Sequence, residues 1–240
     1  MSRRTTGARE THATAPESRG DAAMVVAMLI VAADPIREAA SRLRHALETH
    51  GPRLAIAGGS AARVLADEGL APLWPSLTLT WVDERAVPEA SSDSNRGEAS
   101  RVAPVVDAGF RLPLVLDDEL EDLERAVDRV ERGLDAHFDG GLDVTMLGLG
   151  EDGHVASLFP GHAWTLGNAR VMTIDDSPKP PSRRLTLTRP FLSTARTHVV
   201  FAVGAGKAEA IARLVAGDPS LPASGLEGLV IVTDAAGAGR

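Results

Sequence analysis

The sequence has no cysteine and no tyrosine. Without cysteine there is no disulfide, no thiolate nucleophile and no cysteine-ligated zinc. A reducing compartment is compatible with that usage. Aromatic residues make up 3% of the 240 positions, too few to build stacking platforms for nucleic-acid bases. No basic run stands out and the formal charge is −8. This argues against nucleic acid and acidic membrane surfaces as partners, while leaving room for a local basic pocket. No apolar run approaches the roughly 18 residues of a membrane span.

What the chain does have is enough apolar material for a core. The hydrophobic fraction is 44%, and a doubly wound α/β domain of this length folds as one unit. Residues 1–23 are rich in Ser, Thr, Arg, Ala and Gly and show no apolar period. They lack the apolar core of a secretory signal. They also carry Glu10, Glu17 and Asp21, acids that transit peptides avoid. The expectation is a disordered tail over 1–23 and a single α/β domain over 24–240.

Strands and helices alternate along that domain. MVVAMLIVAA (24–33) reads as a buried strand. Asp34-Pro35 then suits a helix start, with Ile36, Ala39, Ala40, Leu43 and Leu47 on one face. RLAIAGGS (53–60) is a short strand running into two glycines and a serine, followed by a helical pattern. Such a turn allows close approach of an anion to backbone amides, although an ordinary serine-capped turn fits equally well. LTLTWV (77–82) is a strand that delivers Asp83, Glu84 and Arg85, and Ser94-Asn95 opens a helix over 95–102. Residues 104–117 read as irregular, and 118–137 as a long amphipathic helix with Leu120, Leu123, Val127, Val130 and Leu134 inward. Further strands are expected at 170–176, at the end of 177–188 after a proline-stiffened loop, at 197–203 and at 228–232. About six or seven strands interleaved with helices imply a mainly parallel sheet flanked by helices on both faces.

The richest stretch is LDVTMLGLGEDGHVASLFPGH (142–162). A buried strand breaks into Gly148, Gly150 and Gly153, with Glu151, Asp152 and His154 among them. Open α/β sheets bind ligands beyond the carboxyl ends of their strands. His154 is the best-placed titratable group, since an imidazole takes and returns a proton near neutral pH. Asp152 has two roles open to it, orienting the imidazole or capping the following turn, and the cap is the preferred reading. His12, His45, His50, His137, His162 and His198 are scattered without metal-ligand spacing and receive no chemistry. Pro178, Pro180 and Pro181 stiffen the backbone around Lys179, and Lys207 follows a strand end at Gly204-Ala205-Gly206. No Gly-x-Gly-x-x-Gly follows the first strand, which removes a nicotinamide-dinucleotide enzyme.

Four motifs in order, IAGGS (56–60), VDERAVP (82–88) with SN (94–95), LGLGEDGHVASLFPG (147–161) and SPKPPSRRLTLT (177–188), resemble the 6-phosphogluconolactonase family, with GKAEA (206–210) in support. The resemblance spans residues 24–235. It implies a modified Rossmann-like α/β fold shared with the glucosamine-6-phosphate deaminase and ribose-5-phosphate isomerase group. It also implies hydrolysis of 6-phosphoglucono-δ-lactone to 6-phosphogluconate, the second step of the oxidative pentose phosphate pathway, without metal or cofactor. The sister deaminases typically continue from Asp-Gly-His into Phe-Asn-Glu-Pro and place Tyr after Asp-Glu. Here Ala156-Ser157-Leu158-Phe159-Pro160 and Arg85 stand in those places. One departure is Ala61-Ala62 where the family usually has Thr-Pro.

Carried onto this chain, the resemblance implies His154 and Asp152 as the catalytic pair. It implies Gly58, Gly59, Ser60, Asp83, Arg85, Asn95, Gly153, Lys179, Arg183 and Lys207 as the substrate-binding set. The expected partner is a small sugar-phosphate lactone, the expected compartment the cytoplasm, and the expected state a monomer or weak homodimer. A deaminase-like enzyme and a non-catalytic sugar-phosphate-binding regulator are the alternatives. The regulator would keep the Gly-Gly-Ser turn and dispense with His154.

Overall fold

The computed structural model describes residues 27–240. The expected tail over 1–23, and the first residues of the expected strand at 24–33, lie outside the described residues. The chain runs β1 (Met28–Val31), α1 (Pro35–His50), β2 (Arg53–Ile56), β3 (Thr78–Trp81), β4 (Asp83–Arg85), α2 (Asn95–Val102), β5 (Phe110–Leu112) and α3 (Leu123–His137). It continues through β6 (Val144–Gly148), β7 (Val171–Ile174), β8 (Arg184–Leu187), α4 (Arg189–Leu192), β9 (Thr197–Phe201), α5 (Ala208–Val215) and β10 (Leu229–Thr233).

Seven strands form one sheet in the order β1-β10-β9-β6-β2-β3-β5, and every neighbouring pair in it is parallel. Three more, β4-β8-β7, make a small antiparallel sheet. The mainly parallel α/β class holds, with more strands than the six or seven expected. Two of the additions escaped the sequence pattern. Phe110–Leu112 sits inside the stretch read as irregular, and Asp83–Arg85 is a strand of charged residues.

From β2 the chain moves outward through β3 to β5, then returns to place β6 on the other side of β2. The β2–β6 junction is therefore the point where connections leave in opposite directions, which is where such sheets open a crevice. Asp143 secures this junction from below. It accepts the Arg53 N–H and Nε, each at 3.0 Å, and Nη2 at 2.7 Å, a bidentate fork of the strong kind.

Local chemistry explains the helix ends. Asp34 accepts the Arg37 N–H at 3.1 Å and Pro35 occupies the first turn. Ala39, Ala40, Leu43, Ala46 and Leu47 are buried against the sheet, whereas Ile36 is exposed. Leu43 and Leu47 each contribute roughly 2 kcal/mol by that burial. Ser94 caps α2 through the Gly97 N–H at 3.0 Å. The helix expected over 118–137 starts only at Leu123, because Asp122 caps it by accepting the Arg125 N–H at 3.1 Å. The turn before it buries Glu119 against Arg129, which donates to it from Nε and Nη2 at 2.7 Å each. After Gly58 the expected helix is a 3₁₀ helix over Gly59–Ala66. Among the described residues, no helix is long and apolar enough to cross a membrane.

Candidate active site

The carboxyl ends of β2, β3, β6 and β9 converge on a cleft of about 200 Å³. Gly58, Gly59 and Ser60 line it after β2, Asp83 and Arg85 after β3, and Gly148, Gly150 and His154 after β6. Asn95 from α2, Lys179, Arg184 and Lys207 complete the polar lining. Of the expected site residues, the cleft brings together Gly58, Gly59, Ser60, Asp83, Arg85, Asn95, His154, Lys179 and Lys207. Asp152 stands directly behind His154.

His154 Nδ1 lies 2.5 Å from Asp152 Oδ1. The same oxygen meets the His154 N–H only at 3.4 Å. Asp152 therefore acts mainly by orienting the ring, which corrects the preference for a turn cap. With Nδ1–H given to the carboxylate, Nε2 carries the lone pair, the tautomer suited to a base. Burial lowers the His154 pKa below its ordinary value; the Asp152 hydrogen bond and charge oppose this, and the Lys179 charge adds to it. Burial pushes Asp152 upward, but the His154 hydrogen bond and the charges of His154 and Lys179 outweigh it, so the carboxyl stays below its usual range.

Gly150 makes this pairing possible. A Cβ there would overlap His154 Nδ1 and Asp152 Oδ1. The loop closes on itself through Gly150 N–H to the His154 carbonyl at 2.8 Å and Gly153 N–H to the Gly150 carbonyl at 3.0 Å. These two amides are thus committed to loop shape.

Asp83 ties the cleft wall together. It is 5% exposed. Its Oδ1 accepts Asn95 Nδ2 at 3.0 Å, and its Oδ2 accepts the Ser157 hydroxyl at 2.6 Å and lies 3.9 Å from Arg184 Nη1. Asn95 is held so that its Oδ1 abuts Gly58, where a Cβ would overlap it. That oxygen has no hydrogen-bond partner among the described residues. It is a buried acceptor without a partner in a residue of the cleft lining. Glu84, next along β4, turns to the α2 N-terminus and accepts the backbone N–H of Arg85 (2.8 Å), Asn95 (2.8 Å) and Arg96 (2.6 Å). Burial raises its pKa, with these three amides acting in the opposite direction.

Arg184 went unremarked in the sequence. It is 3% exposed and donates to the carbonyls of Lys179 (2.7 Å), Pro181 (2.9 Å) and Pro180 (3.3 Å). Its neighbour Arg183, expected in the substrate set, points elsewhere. It donates to the Leu120 carbonyl at 3.2 Å and lies near Asp175 and Glu121. Adjacent residues of a strand face opposite sides, so only one arginine of the pair reaches the cleft. Alternation into the Arg184–Leu187 strand was the signal available for choosing between them. Gly153 is the second correction: it is buried and faces Leu221, outside the cleft lining.

Lys179 Nζ stands 3.4 Å from Asp152 Oδ1. Burial lowers the Lys207 pKa, while the Glu151 charge raises it. Arg85 donates from Nη1 to the Asp93 carbonyl at 2.6 Å. The cleft thus sets the His154 imidazole among cationic groups on Arg85, Lys179 and Lys207. Among the described residues, no group of three or more His, Asp or Glu is placed to hold a metal ion.

A family model described as glucosamine-6-phosphate isomerases/6-phosphogluconolactonase matches residues 30–231. The chain is 38% identical over 168 residues to a 6-phosphogluconolactonase of Mycobacterium tuberculosis, covering 65% of this chain and 68% of that one. It is 35% identical over 179 residues to the Homo sapiens 6-phosphogluconolactonase, covering 68% and 67%. Its fold matches the Trypanosoma brucei 6-phosphogluconolactonase with a TM-score of 0.71 at 27% identity, covering 89% of this chain and 98% of that one. Sequence and fold agree that the chain belongs to the glucosamine-6-phosphate isomerase/6-phosphogluconolactonase family.

Proposed function

We propose that the chain is a 6-phosphogluconolactonase, opening the ring of 6-phosphoglucono-δ-lactone to 6-phosphogluconate in the oxidative pentose phosphate pathway. The observation that carries the chemistry is the imidazole of His154, fixed at Nδ1 by Asp152 beside a cationic cleft, with burial lowering its pKa.

Lactone hydrolysis is acyl transfer to water. His154 Nε2 takes a proton from the attacking water, whose oxygen bonds to the lactone carbonyl carbon. The bond from that carbon to the ring oxygen then breaks. The ring oxygen leaves with the proton returned by His154, giving the free hydroxyl and the carboxylic acid. Asp152 stabilises the imidazolium between these steps. Arg85, Lys179 and Lys207 supply positive charge for the phosphate. Asn95 Oδ1 accepts from a sugar hydroxyl. The same reading places the enzyme in the cytoplasm, as a monomer or weak homodimer.

A deaminase reading is weaker. Ala156-Ser157-Leu158-Phe159-Pro160 follows the Asp-Gly-His core where the sister enzymes carry Phe-Asn-Glu-Pro, and Ser157 is taken up by Asp83 inside the wall.

The test is hydrolysis of freshly made 6-phosphoglucono-δ-lactone, followed by proton release with the spontaneous rate subtracted. Wild type accelerates the decay and His154→Ala returns it to background. A wild type at background overturns the activity. A fully active His154→Ala variant overturns the mechanism alone.

A further inference from the structure

The Gly-Gly-Ser turn already holds an anion. Gly59 N–H donates to Glu98 Oε2 at 2.6 Å. Glu98 lies in the first turn of α2, half-buried. The chain therefore supplies a carboxylate to a backbone amide at the cleft, in the turn that the sequence offers as a place for an anion to meet backbone amides. Glu98 makes no ion pair with Arg, Lys or His among the described residues: the cleft cations pair elsewhere, Lys179 with Asp152 and Arg184 with Asp83.

One N–H cannot serve two anions, and carboxylate and phosphate repel across the short distance that sharing would require. We propose that Glu98 is a specificity-determining residue, an internal anion that competes with the substrate phosphate for Gly59 N–H. This inference rests on the reading of the cleft as a sugar-phosphate site. In the free protein Glu98 holds the turn in shape and keeps its amide from binding small anions indiscriminately. A phosphate takes that amide only when Arg85, Lys179 and Lys207 hold it well enough to displace Glu98. Glu98 thus weakens binding of every phosphate by a similar factor, so that only a ligand with further contacts, such as those to the sugar, still binds well.

Glu98→Gln separates charge from shape. The glutamine Oε1 still accepts the Gly59 N–H, so the turn keeps its support while the charge is removed. The apparent KM for lactone and the dissociation constant of inorganic phosphate, measured by calorimetry, are each expected to fall roughly tenfold, the scale of one hydrogen bond to a charged group. The effect sits on KM and not on kcat. Glu121→Gln removes the same charge from a side chain that is 99% exposed and lies outside the cleft lining, and it should leave both constants within twofold.

If Glu98→Gln leaves KM and the phosphate constant unchanged, or raises them, the inference is overturned. If Glu121→Gln lowers them equally, the effect belongs to net charge and the inference again fails. Should wild type not turn over lactone, the proposed function falls separately, and the phosphate titration alone decides the role of Glu98.

Discussion

Arg184 grips Lys179 by its main chain, donating from Nη2 to the Lys179 carbonyl at 2.7 Å. A long, half-exposed lysine is a poor fixed charge because it loses side-chain entropy on binding. Here the backbone beneath it is clamped by a buried guanidinium whose counter-ion, Asp83, also holds Asn95 and Ser157. Arg184→Lys keeps the charge and loses the planar fork. The expected result is a KM raised roughly tenfold, the scale of one charge-assisted hydrogen bond, with a smaller change in kcat. Steady-state kinetics check this, with urea unfolding to score the accompanying loss of stability.

Removing the lysine head itself acts on two observables. Lys179→Ala should raise KM more than it lowers kcat if, as proposed, the ammonium serves the phosphate and does not touch the reacting carbonyl. It also deletes a charge that lowers the His154 pKa. The acid limb of kcat/KM should therefore move to higher pH. An unchanged KM would remove Lys179 from the phosphate site.

Asp152→Asn tests the pairing with His154. The base must be neutral, so kcat/KM falls as pH drops through the His154 pKa, which lies below 6.5 in the wild type. The substitution removes a hydrogen bond and a charge that raise that pKa. The acid limb should therefore shift further down. The rate should fall by about 100-fold, at the lower end of what a positioned base contributes, because the tautomer is no longer fixed. A pH profile with an unmoved limb would make Asp152 a turn residue.

Most of this site was legible in the sequence because parallel strands present their carboxyl ends together. The Gly58-Gly59-Ser60 turn, Asp83, His154 and Lys207 each follow a short apolar run, so placing the runs placed the residues. Lys179 arrives differently, on the proline-stiffened stretch before β8. What the pattern missed depends on partners far away in the chain. Asp83–Arg85 carries no alternation of its own, yet it pairs with Arg184–Leu187 about a hundred residues later. Its Glu84 is an acidic residue because it caps a helix from outside, a role with no local period. Phe110–Leu112 is three residues long, too short for alternation to declare a strand. Arg183 and Arg184 are chemically identical, and only the face of the strand tells them apart.

The last prediction concerns a histidine given no chemistry, His198 on β9. It is fully buried, and its Nδ1 lies 2.7 Å from Thr145 Oγ1 while its Nε2 has no partner among the described residues. Burial lowers its pKa to about 4 from 6.5; the Ala195 backbone contact opposes this and the Arg189 charge adds to it. Between those values the unfolded chain binds a proton that the folded chain does not. Stability from this group is therefore fully present above pH 6.5 and falls as pH drops toward 4, by roughly 3 kcal/mol in total. Urea unfolding of wild type and His198→Gln at pH 7.5 and pH 5 measures it. The glutamine variant is less stable at pH 7.5, because its fit against Thr145 is poorer, but it loses less stability on acidification. Carboxylates titrating in the same window contribute to both proteins and cancel in the difference. Equal losses in the two proteins would mean that His198 takes up its proton without unfolding.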